Sequence, residues 1–396
     1  MTRPLRIAIL THSTNPRGGV SHCLSLAEAL TALGHEAVVH APDPARRGFF
    51  RPAACATVSV PACRIESRST RDMVEQRVAD YRDWFSVPKN RGFDLYHAHD
   101  GIGGSALADL HGAGLVPPFV RTVHHLDHFA DPRVEARQRR AVVEAGTALC
   151  VSDGWVDVLR ERYGVAAGRV SNGVDLGVFS PRPEAADAAV RGRLGLGEGP
   201  VLLAVGGREP RKNTLRVIEA FAKLRARHPR AQLAIVGGAS VLDHAAYAKL
   251  CDEALLRLNL GTGRGGAVVL AGPVPQAEMP ALYRIADALA FPSLQEGFGL
   301  SVIEAMASGT PAAVSRIAPF TEYLAEDDAA WAEPTDPGSI AAAMERAIDP
   351  RARAAYAARG HAVAARFDWA ASARRHLDHY AAHLAAQLPP KVAAHA

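Results

Sequence analysis

The chain has 396 residues, of which 48% are hydrophobic and 22% are charged, and its formal net charge is +4. This length exceeds the roughly 250–300 residues at which a single core stops growing, so two domains are expected. The nearly balanced charge argues against a nucleic-acid-binding protein. No apolar stretch reaches the ~18 residues of a membrane span, and the short N-terminal run is not a secretory signal. The five scattered cysteines indicate free thiols in a reducing compartment, so we expect a cytoplasmic enzyme, with peripheral membrane contact left open.

The first half of the chain predicts alternating strands and helices. An apolar run at 6–11 predicts a buried strand, and helical spacing at 20–33, followed by Gly34, predicts a helix. Such βαβ units form parallel sheets that are covered by helices. Further strands are predicted at 36–40, 94–98, 118–123 and 148–151.

A change in composition separates this half from a second series of the same kind. Prolines and glycines bracket a short Ala-rich helix at 181–199, which predicts a linker at about 178–198. We therefore predict an α/β fold with two doubly wound, Rossmann-like domains at 1–180 and 181–369. Ligands of such sheets bind at the carboxyl ends of the strands. The strands of the second domain are predicted at 201–205, 232–236, 267–270, 288–291 and 311–314.

The most specific pattern is Glu-Gly-Phe-Gly-Leu-Ser-Val-Ile-Glu at 296–304, between a predicted strand and a helix that ends before Gly309. Glycines in such a loop let a ligand approach the backbone amides, and the helix N-terminus favours phosphate. The carboxylates of Glu296 and Glu304 can accept hydrogen bonds from hydroxyl groups, so the segment predicts a sugar-nucleotide site. The alternative is a capping box, because Ser301-x-x-Glu304 also fits that structural motif.

A basic loop, Gly-Gly-Arg-Glu-Pro-Arg-Lys at 206–212, follows the first strand of the second domain. Arginine offers a bidentate fork and lysine a mobile point charge, so the loop suits a diphosphate. Arg208, Arg211 and Lys212 are the candidate cations. A solvated basic turn is the alternative interpretation.

A histidine-rich loop, Thr-Val-His-His-Leu-Asp-His at 122–128, follows a strand of the first domain. It brings imidazoles to the carboxyl end of the sheet, where His124 or His125 can donate hydrogen bonds to a ligand. Surface histidines are one alternative. A zinc or two-metal centre drawn from 97–100 and 124–128 is another, although the chain lacks a contiguous His-x-His-x-Asp-His unit.

Together these segments resemble retaining glycosyltransferases of family four (glycosyl transferases group one, GT-B type), with their E-x7-E region. The resemblance covers about residues 7–380, and one departure is Ser301, where the family often has proline. It implies that the C-terminal helix, about 370–396, packs back on the N-terminal acceptor domain. It also implies that the glycines at 18 and 19 lie near the donor phosphates and the acceptor, that His124 contacts the donor sugar, and that Val274 lines the nucleoside pocket.

The same resemblance implies a metal-independent, same-face transfer of a hexose-type sugar from a nucleoside-diphosphate sugar, most simply a UDP- or GDP-sugar, with no further cofactor. Glu304 would hold the ribose, and Lys212 with Arg208 or Arg211 would stabilise the diphosphate. Glu296 would orient the sugar, together with the loop at Phe298, Gly299, Leu300 and Ser301. The acceptor (a small molecule, a lipid or a glycan), the nucleobase, the sugar and the oligomeric state are left open.

Three other functions compete with this interpretation. A sugar-nucleotide epimerase would share the architecture, a metal-dependent hydrolase would use the histidines, and a non-catalytic binder would keep the fold alone. The presence of Glu296, Glu304, Lys212 and His124 together argues against a binder. Acceptor selection is assigned to 49–90, where a helix is predicted at 71–85. Arginines at 46–51 and 137–140 suit an anionic acceptor or lipid headgroups, or form a solvated face.

Overall fold

The computed structural model describes residues 3–65, 69–238 and 244–388, which divide into two compact units. The first unit takes the chain up to Gly173 and resumes at Trp369, and the second extends from Val174 to Asp368. The part of the predicted terminal helix beyond 388 lies outside the described residues.

The first unit is built on a parallel sheet. Its strands are β1 (Arg6–Leu10), β2 (Glu36–Asp43), β3 (Ala56–Pro61), β4 (Leu95–Ala98), β5 (Val120–Val123), β6 (Thr147–Cys150) and β7 (Ala167–Arg169). They lie in the order β3-β2-β1-β4-β5-β6-β7. The helices that follow these strands are α1 (Gly18–Ala32), α2 (Thr70–Ser86), α3 (Gly101–Gly112), α4 (Pro132–Val143) and α5 (Asp153–Tyr163).

The second unit repeats this plan after α6 (Ala185–Leu194). Its strands are β8 (Val201–Val205), β9 (Gln232–Val236), β10 (Val268–Gly272), β11 (Ala288–Phe291), β12 (Ala312–Ser315) and β13 (Ala330–Ala332), in the order β10-β9-β8-β11-β12-β13. Its remaining helices are α7 (Thr214–Arg227), α8 (Ala245–Arg257), α9 (Met279–Ile285), α10 (Leu300–Ala307), α11 (Phe320–Tyr323), α12 (Pro337–Ile348) and α13 (Pro350–Ala364). The two doubly wound α/β sheets confirm the predicted fold class.

The chain then returns to the first unit through helix α14 (Trp369–Ala385), which packs against α1. The ring of Tyr380 is fully buried, and its hydroxyl lies 2.7 Å from Nδ1 of His97 on β4. The Ser372 hydroxyl donates a hydrogen bond to the backbone carbonyl of Ser171. The C-terminal helix is therefore part of the core of the first unit.

Each sheet has one point at which its strand order reverses. In the first unit this point lies between β1 and β4, and in the second between β8 and β11. The loops after these strands diverge to opposite faces and leave a crevice, which is where open α/β sheets bind ligands. The three loops that were identified from the sequence therefore lie at the carboxyl ends of the strands that precede them.

Three short strands were not predicted: β3, β7 and β13. Strand β3 is an edge strand in which only Val60 is buried, so it lacks the continuous apolar run of a central strand. The helix predicted at 71–85 is present as α2. The five cysteines are free thiols, as predicted. Among the described residues, the helices are too short or too polar to cross a bilayer.

Candidate active site

The loop after β8 depends on its glycines. Gly206 has φ +119°, and a Cβ there would lie 2.7 Å from Cε of Lys212. The missing side chain thus lets Lys212 fold back over the backbone. Gly207 has φ +72°, and a Cβ on it would meet the carbonyl oxygen of Gly238 at 2.8 Å. The paired glycines are required both by the backbone conformation and by close packing.

Asn213 joins this loop to the loop after β11. The side chain is fully buried, and its amide nitrogen donates to the carbonyls of Pro292 (2.9 Å) and Pro334 (2.7 Å). A second link is the backbone N–H of Leu294, which donates to the carbonyl of Arg211 at 2.9 Å. These hydrogen bonds therefore fix the loops after β8 and β11, on either side of the reversal point of the second sheet, to one another.

A buried group of charges lies between these two loops. Glu296 Oε1 accepts from Nζ of Lys212 at 2.7 Å and lies 3.1 Å from Nη1 of Arg211. The Lys212 and Glu296 side chains are only 15% and 7% exposed, and the ammonium sits 4.3 Å from the centre of the Phe291 ring. Burial alone would raise the pKa of Glu296, but the two cations outweigh it and lower that pKa to about 2. Burial lowers the pKa of Lys212, although Glu296 opposes this shift.

The two candidate arginines are placed differently. Arg211 lies beside Glu296, whereas Nη1 of Arg208 is 2.5 Å from a carboxylate oxygen of Asp252 on α8. The side chain of Arg208 is 32% exposed and that of Arg211 is 25% exposed. Among the two, only Arg211 contacts the group formed by Lys212 and Glu296.

The start of α10 corrects one sequence-based interpretation. The N-cap is Gly299, with φ +90°, and the helix begins at Leu300. Ser301 is therefore the second helical residue and Glu304 the fifth, so the capping box considered for this pair is wrong. No side chain caps the helix, and its first amides face the loop.

Glu304 is instead held by a tyrosine. Its Oε2 accepts from the hydroxyl of Tyr283 on α9 at 2.8 Å. Burial raises the pKa of Glu304 to about 7, and the Tyr283 hydrogen bond only partly opposes this. Sequence analysis did not identify Tyr283, because nothing in the local pattern links α9 to α10.

The loop around Phe298 offers backbone rather than side-chain contacts. The Phe298 ring is buried and stacked on Tyr323, with ring centroids 5.3 Å apart, and its carbonyl accepts from the Tyr323 hydroxyl. Val274 is nearly buried in the loop after β10. Neighbouring Pro273 packs on Gly238, and Gly237 packs on Gly207, so the loops after β8, β9 and β10 are in contact.

The glycine loop of the first unit has a different character. Gly18 and Gly19 are the first residues of α1, and a Cβ on either would meet no atom within 4 Å. Neither has a positive φ. The N-cap residue, Arg17, makes no capping hydrogen bond through its side chain. Nothing in the described part of the first unit therefore requires glycine at these two positions.

His124 lies in a cluster of imidazoles in the first unit. Its Nε2 is 3.1 Å from Nδ1 of His99, which follows β4. The ring of His22, on α1, packs against both of these rings, with centroids 4.5 Å from His124 and 5.0 Å from His99. Burial lowers the pKa of all three imidazoles well below the ordinary value, so they are neutral at pH 7.

The residues considered for a metal centre from the sequence, at 97–100 and 124–128, do not all come together. His97 Nδ1 faces Tyr380 and its Nε2 faces the hydroxyl of Thr122, while Asp100 caps α3 by accepting from Gly103 N. His125 lies 3.6 Å from Asp127. The group whose nitrogens approach one another is His22, His99 and His124, and sequence analysis missed His22 because it lies inside a helix.

The arginine groups of the first unit are engaged with acids. Arg51 pairs with Glu28 at 2.6 Å, and Arg137 pairs with Glu75 at 2.8 Å. Asp109 accepts from Arg140 at 2.7 Å. These contacts favour the solvated-face interpretation for the three arginines.

Comparison with known families accounts for both halves of the chain. Residues 189–361 match the family described as "Glycosyl transferases group 1", and residues 16–178 match "Glycosyltransferase Family 4". Among solved structures, sucrose-phosphate synthase from Thermosynechococcus elongatus is 22% identical with a TM-score of 0.77, covering 97% of this chain and 100% of that one. Anabaena HepE in complex with UDP-glucose is 18% identical with a TM-score of 0.74, covering 96% and 100%. These two comparisons show a shared fold.

Curated relatives are more similar in sequence. D-inositol 3-phosphate glycosyltransferase from Frankia alni is 31% identical over 312 residues, or 73% of this chain and 74% of the relative. The protein of the same name from Acidothermus cellulolyticus is 30% identical over 297 residues, or 70% of this chain and 64% of the relative, slightly less than two thirds of its length. A GDP-mannose-dependent alpha-(1-6)-phosphatidylinositol monomannoside mannosyltransferase from Mycolicibacterium smegmatis is 34% identical over 197 residues, or 48% and 49%. The chain therefore belongs to glycosyltransferase family 4, within the glycosyl transferases group 1, and has the GT-B fold.

Proposed function

We propose that this chain moves a hexose-type sugar from a UDP- or GDP-sugar to a hydroxyl group of an acceptor, with retention of the anomeric configuration and without a metal ion. The observation that carries this proposal is the buried group of Lys212, Arg211 and Glu296, next to the uncapped N-terminus of α10. Two cations and the N-terminus of a helix at a sheet's reversal point form a site for a diphosphate.

The cations act on the departing group. When the bond from the anomeric carbon to the phosphate oxygen breaks, negative charge grows on the nucleoside diphosphate. Lys212 and Arg211 stabilise that charge from fixed positions, so they need not reorganise during the reaction. We assign the arginine role to Arg211 because Arg208 pairs with Asp252.

Carboxylates hold the hydroxyl groups of the donor. Glu304 accepts from the ribose, and Tyr283 positions its carboxylate through the 2.8 Å hydrogen bond. Glu296 and the amides from Phe298 to Ser301 orient the sugar, and the backbone near Val274 lies along the nucleoside. In the first unit, His124 donates to a hydroxyl of the sugar, and Gly18 and Gly19 allow close approach to their amides.

Retention follows from attack on the same face that the leaving group departs from. The acceptor oxygen bonds to the anomeric carbon as the bond to the diphosphate breaks, and the acceptor proton passes to the leaving phosphate oxygen. No protein nucleophile takes part. The names of the relatives support an acceptor that is a polyol or a polyol phosphate, since they act on D-inositol 3-phosphate and phosphatidylinositol monomannoside.

The test is a transfer assay with UDP-glucose, GDP-mannose and their relatives, each offered with inositol, inositol 3-phosphate and phosphatidylinositol. We expect one donor series to react in the presence of EDTA, and NMR to show the anomeric configuration of the donor in the product. An inverted product would contradict retention, and loss of activity in EDTA would contradict metal independence. Conversion of the donor without any acceptor would support a sugar-nucleotide epimerase instead.

A matched pair of variants tests the assignment of the arginine. Arg211→Gln should lower kcat/KM by about 10²-fold, in the range seen when one electrostatic stabiliser is lost. Arg208→Gln removes the same charge from the same loop and should lower kcat/KM much less. A larger loss for Arg208→Gln would reverse the assignment.

A further inference from the structure

We propose that His22, His99 and His124 form a binding site for a zinc-class transition-metal ion within the first unit. Each residue can offer one nitrogen, and these nitrogens lie within 4.8 Å of one another. The proposal concerns binding of the ion alone, and it shares one residue, His124, with the donor contacts proposed above.

The geometry of two ligands is close to that of a zinc site. His99 Nδ1 and His124 Nε2 are 3.1 Å apart. Two nitrogens bound to one tetrahedral zinc at ~2.0–2.1 Å would be about 3.3 Å apart. One of these two nitrogens carries the proton of their hydrogen bond, so binding of the ion would require that imidazole to move its proton to its other ring nitrogen, with little movement of either ring.

The third ligand is held in the correct tautomer by a neighbour. Nδ1 of His22 lies 2.9 Å from Oδ1 of Asn172, which can only accept, so Nδ1 carries the proton. Its Nε2 therefore presents a lone pair. That atom is fully buried and has no hydrogen-bond partner within the described residues. A buried lone pair without a donor is costly unless water or a cation satisfies it.

The donor atoms decide which ion the site would take. Neutral imidazole nitrogens suit zinc and its first-row neighbours, whereas magnesium and calcium require oxygen ligands. His97 takes no part, because both of its nitrogens already face hydroxyl groups.

Metal binding by the full chain, after removal of metals with EDTA and dialysis, tests the proposal. We expect stoichiometric zinc binding by calorimetry, and an intense visible spectrum typical of four-coordinate cobalt when Co²⁺ replaces zinc. His22→Gln should abolish both signals. Its matched control is His125→Gln, which alters the neighbour of His124 and should leave both unchanged.

A second variant keeps the test decisive if His22→Gln does not fold. Asn172→Ala leaves all three imidazoles in place but removes the acceptor that orients His22. Loss of such an outer partner typically weakens metal binding by ~10–100-fold. A wild-type chain with no four-coordinate cobalt spectrum would overturn the proposal. So would zinc affinity that is unchanged in a folded His22→Gln or Asn172→Ala variant.

Discussion

The two glycine-bearing helix starts, at Gly18–Gly19 on α1 and at Gly299 before α10, share a pattern but differ in what requires them. Gly299 has φ +90°, and a Cβ on it would lie 2.4 Å from Cε1 of Phe320. Gly18 and Gly19 have neither a positive φ nor a neighbour within 4 Å. The fold explains the glycine before α10, whereas nothing in the described residues requires the pair on α1, where we propose that the donor approaches the backbone amides.

The same contrast extends to the charges. In the second unit, Lys212 and Glu296 form a buried ion pair, so the residues proposed to bind the donor also support the fold. Substitutions at Lys212 or Glu296 should therefore change stability and activity together. Substitutions at Gly18 and Gly19 should lower activity without lowering stability.

Lys212→Met should have the largest effect. The variant keeps an apolar side chain over the Phe291 ring. Of the two cations that contact Glu296 in the described residues, it keeps only Arg211. Breaking a buried pair costs roughly 3–5 kcal/mol, and we expect the lower end because Arg211 stays. Transfer should fall by about 10²–10³-fold. Urea unfolding and kcat/KM provide the two measurements.

The control is Lys249→Met on the exposed face of α8, where the side chain is 78% exposed. Surface pairs contribute at most about 1 kcal/mol, so its stability should hardly change. A folded Lys212→Met variant with normal donor affinity would contradict the proposed diphosphate site.

Gly299→Ala tests the structural side of the comparison. The left-handed backbone costs alanine about 1–2 kcal/mol, and overlap with Phe320 adds about 1–3 kcal/mol. The melting temperature should fall by several degrees, and Phe320→Leu in the same chain should restore part of the loss. An unchanged melting temperature in Gly299→Ala would show that this loop is not rigid.

The pH dependence of stability should reveal Glu304. Its pKa is about 7 in the folded chain and about 4.5 when unfolded, so the folded state holds the proton more tightly. The free energy of unfolding should therefore fall as pH rises from about 4.5 through 7, by about 3 kcal/mol in total.

Glu304→Gln should lack this contribution, and denaturant unfolding at several pH values measures the difference from wild type. Glu253→Gln, at an exposed site, serves as the matched control, and its free energy of unfolding should change with pH as that of wild type does. Equal slopes in wild type and Glu304→Gln would rule out a raised pKa at this residue.

Gly19→Ala should have the smallest effect on stability. Alanine is a better helix former, so the variant should be unchanged or up to roughly 0.5–1 kcal/mol more stable. Transfer should fall by up to about 10²-fold, since the added methyl displaces the ligand from the amides. Gly112→Ala, at the end of α3 and equally uncrowded, is the control, and it should change stability by a similarly small amount and leave transfer unchanged. Full activity in Gly19→Ala would remove the evidence for a ligand there.

Sequence patterns were sufficient for most of the sheets, because buried parallel strands are continuous apolar runs with glycine-bearing loops behind them. They could not reveal that α14 completes the first core through Tyr380, since that contact joins residues far apart in the chain. The same holds for His22, whose neighbours His99 and His124 follow β4 and β5 and lie far from it in the chain. The sequence pattern also could not show which acid each arginine contacts. Arg208 and Arg211 look equivalent in the sequence, yet they contact different acids.

The Glu304–Tyr283 contact has a consequence for calorimetry. Because burial raises the pKa of Glu304 to about 7, the protonated and ionised forms of this side chain coexist near neutral pH. If ribose hydroxyls bind only the carboxylate, each binding event releases on average a fraction of a proton to the solvent. The observed heat of nucleotide binding must then vary with the ionisation enthalpy of the buffer, and the proton count gives the occupancy of this carboxyl group directly.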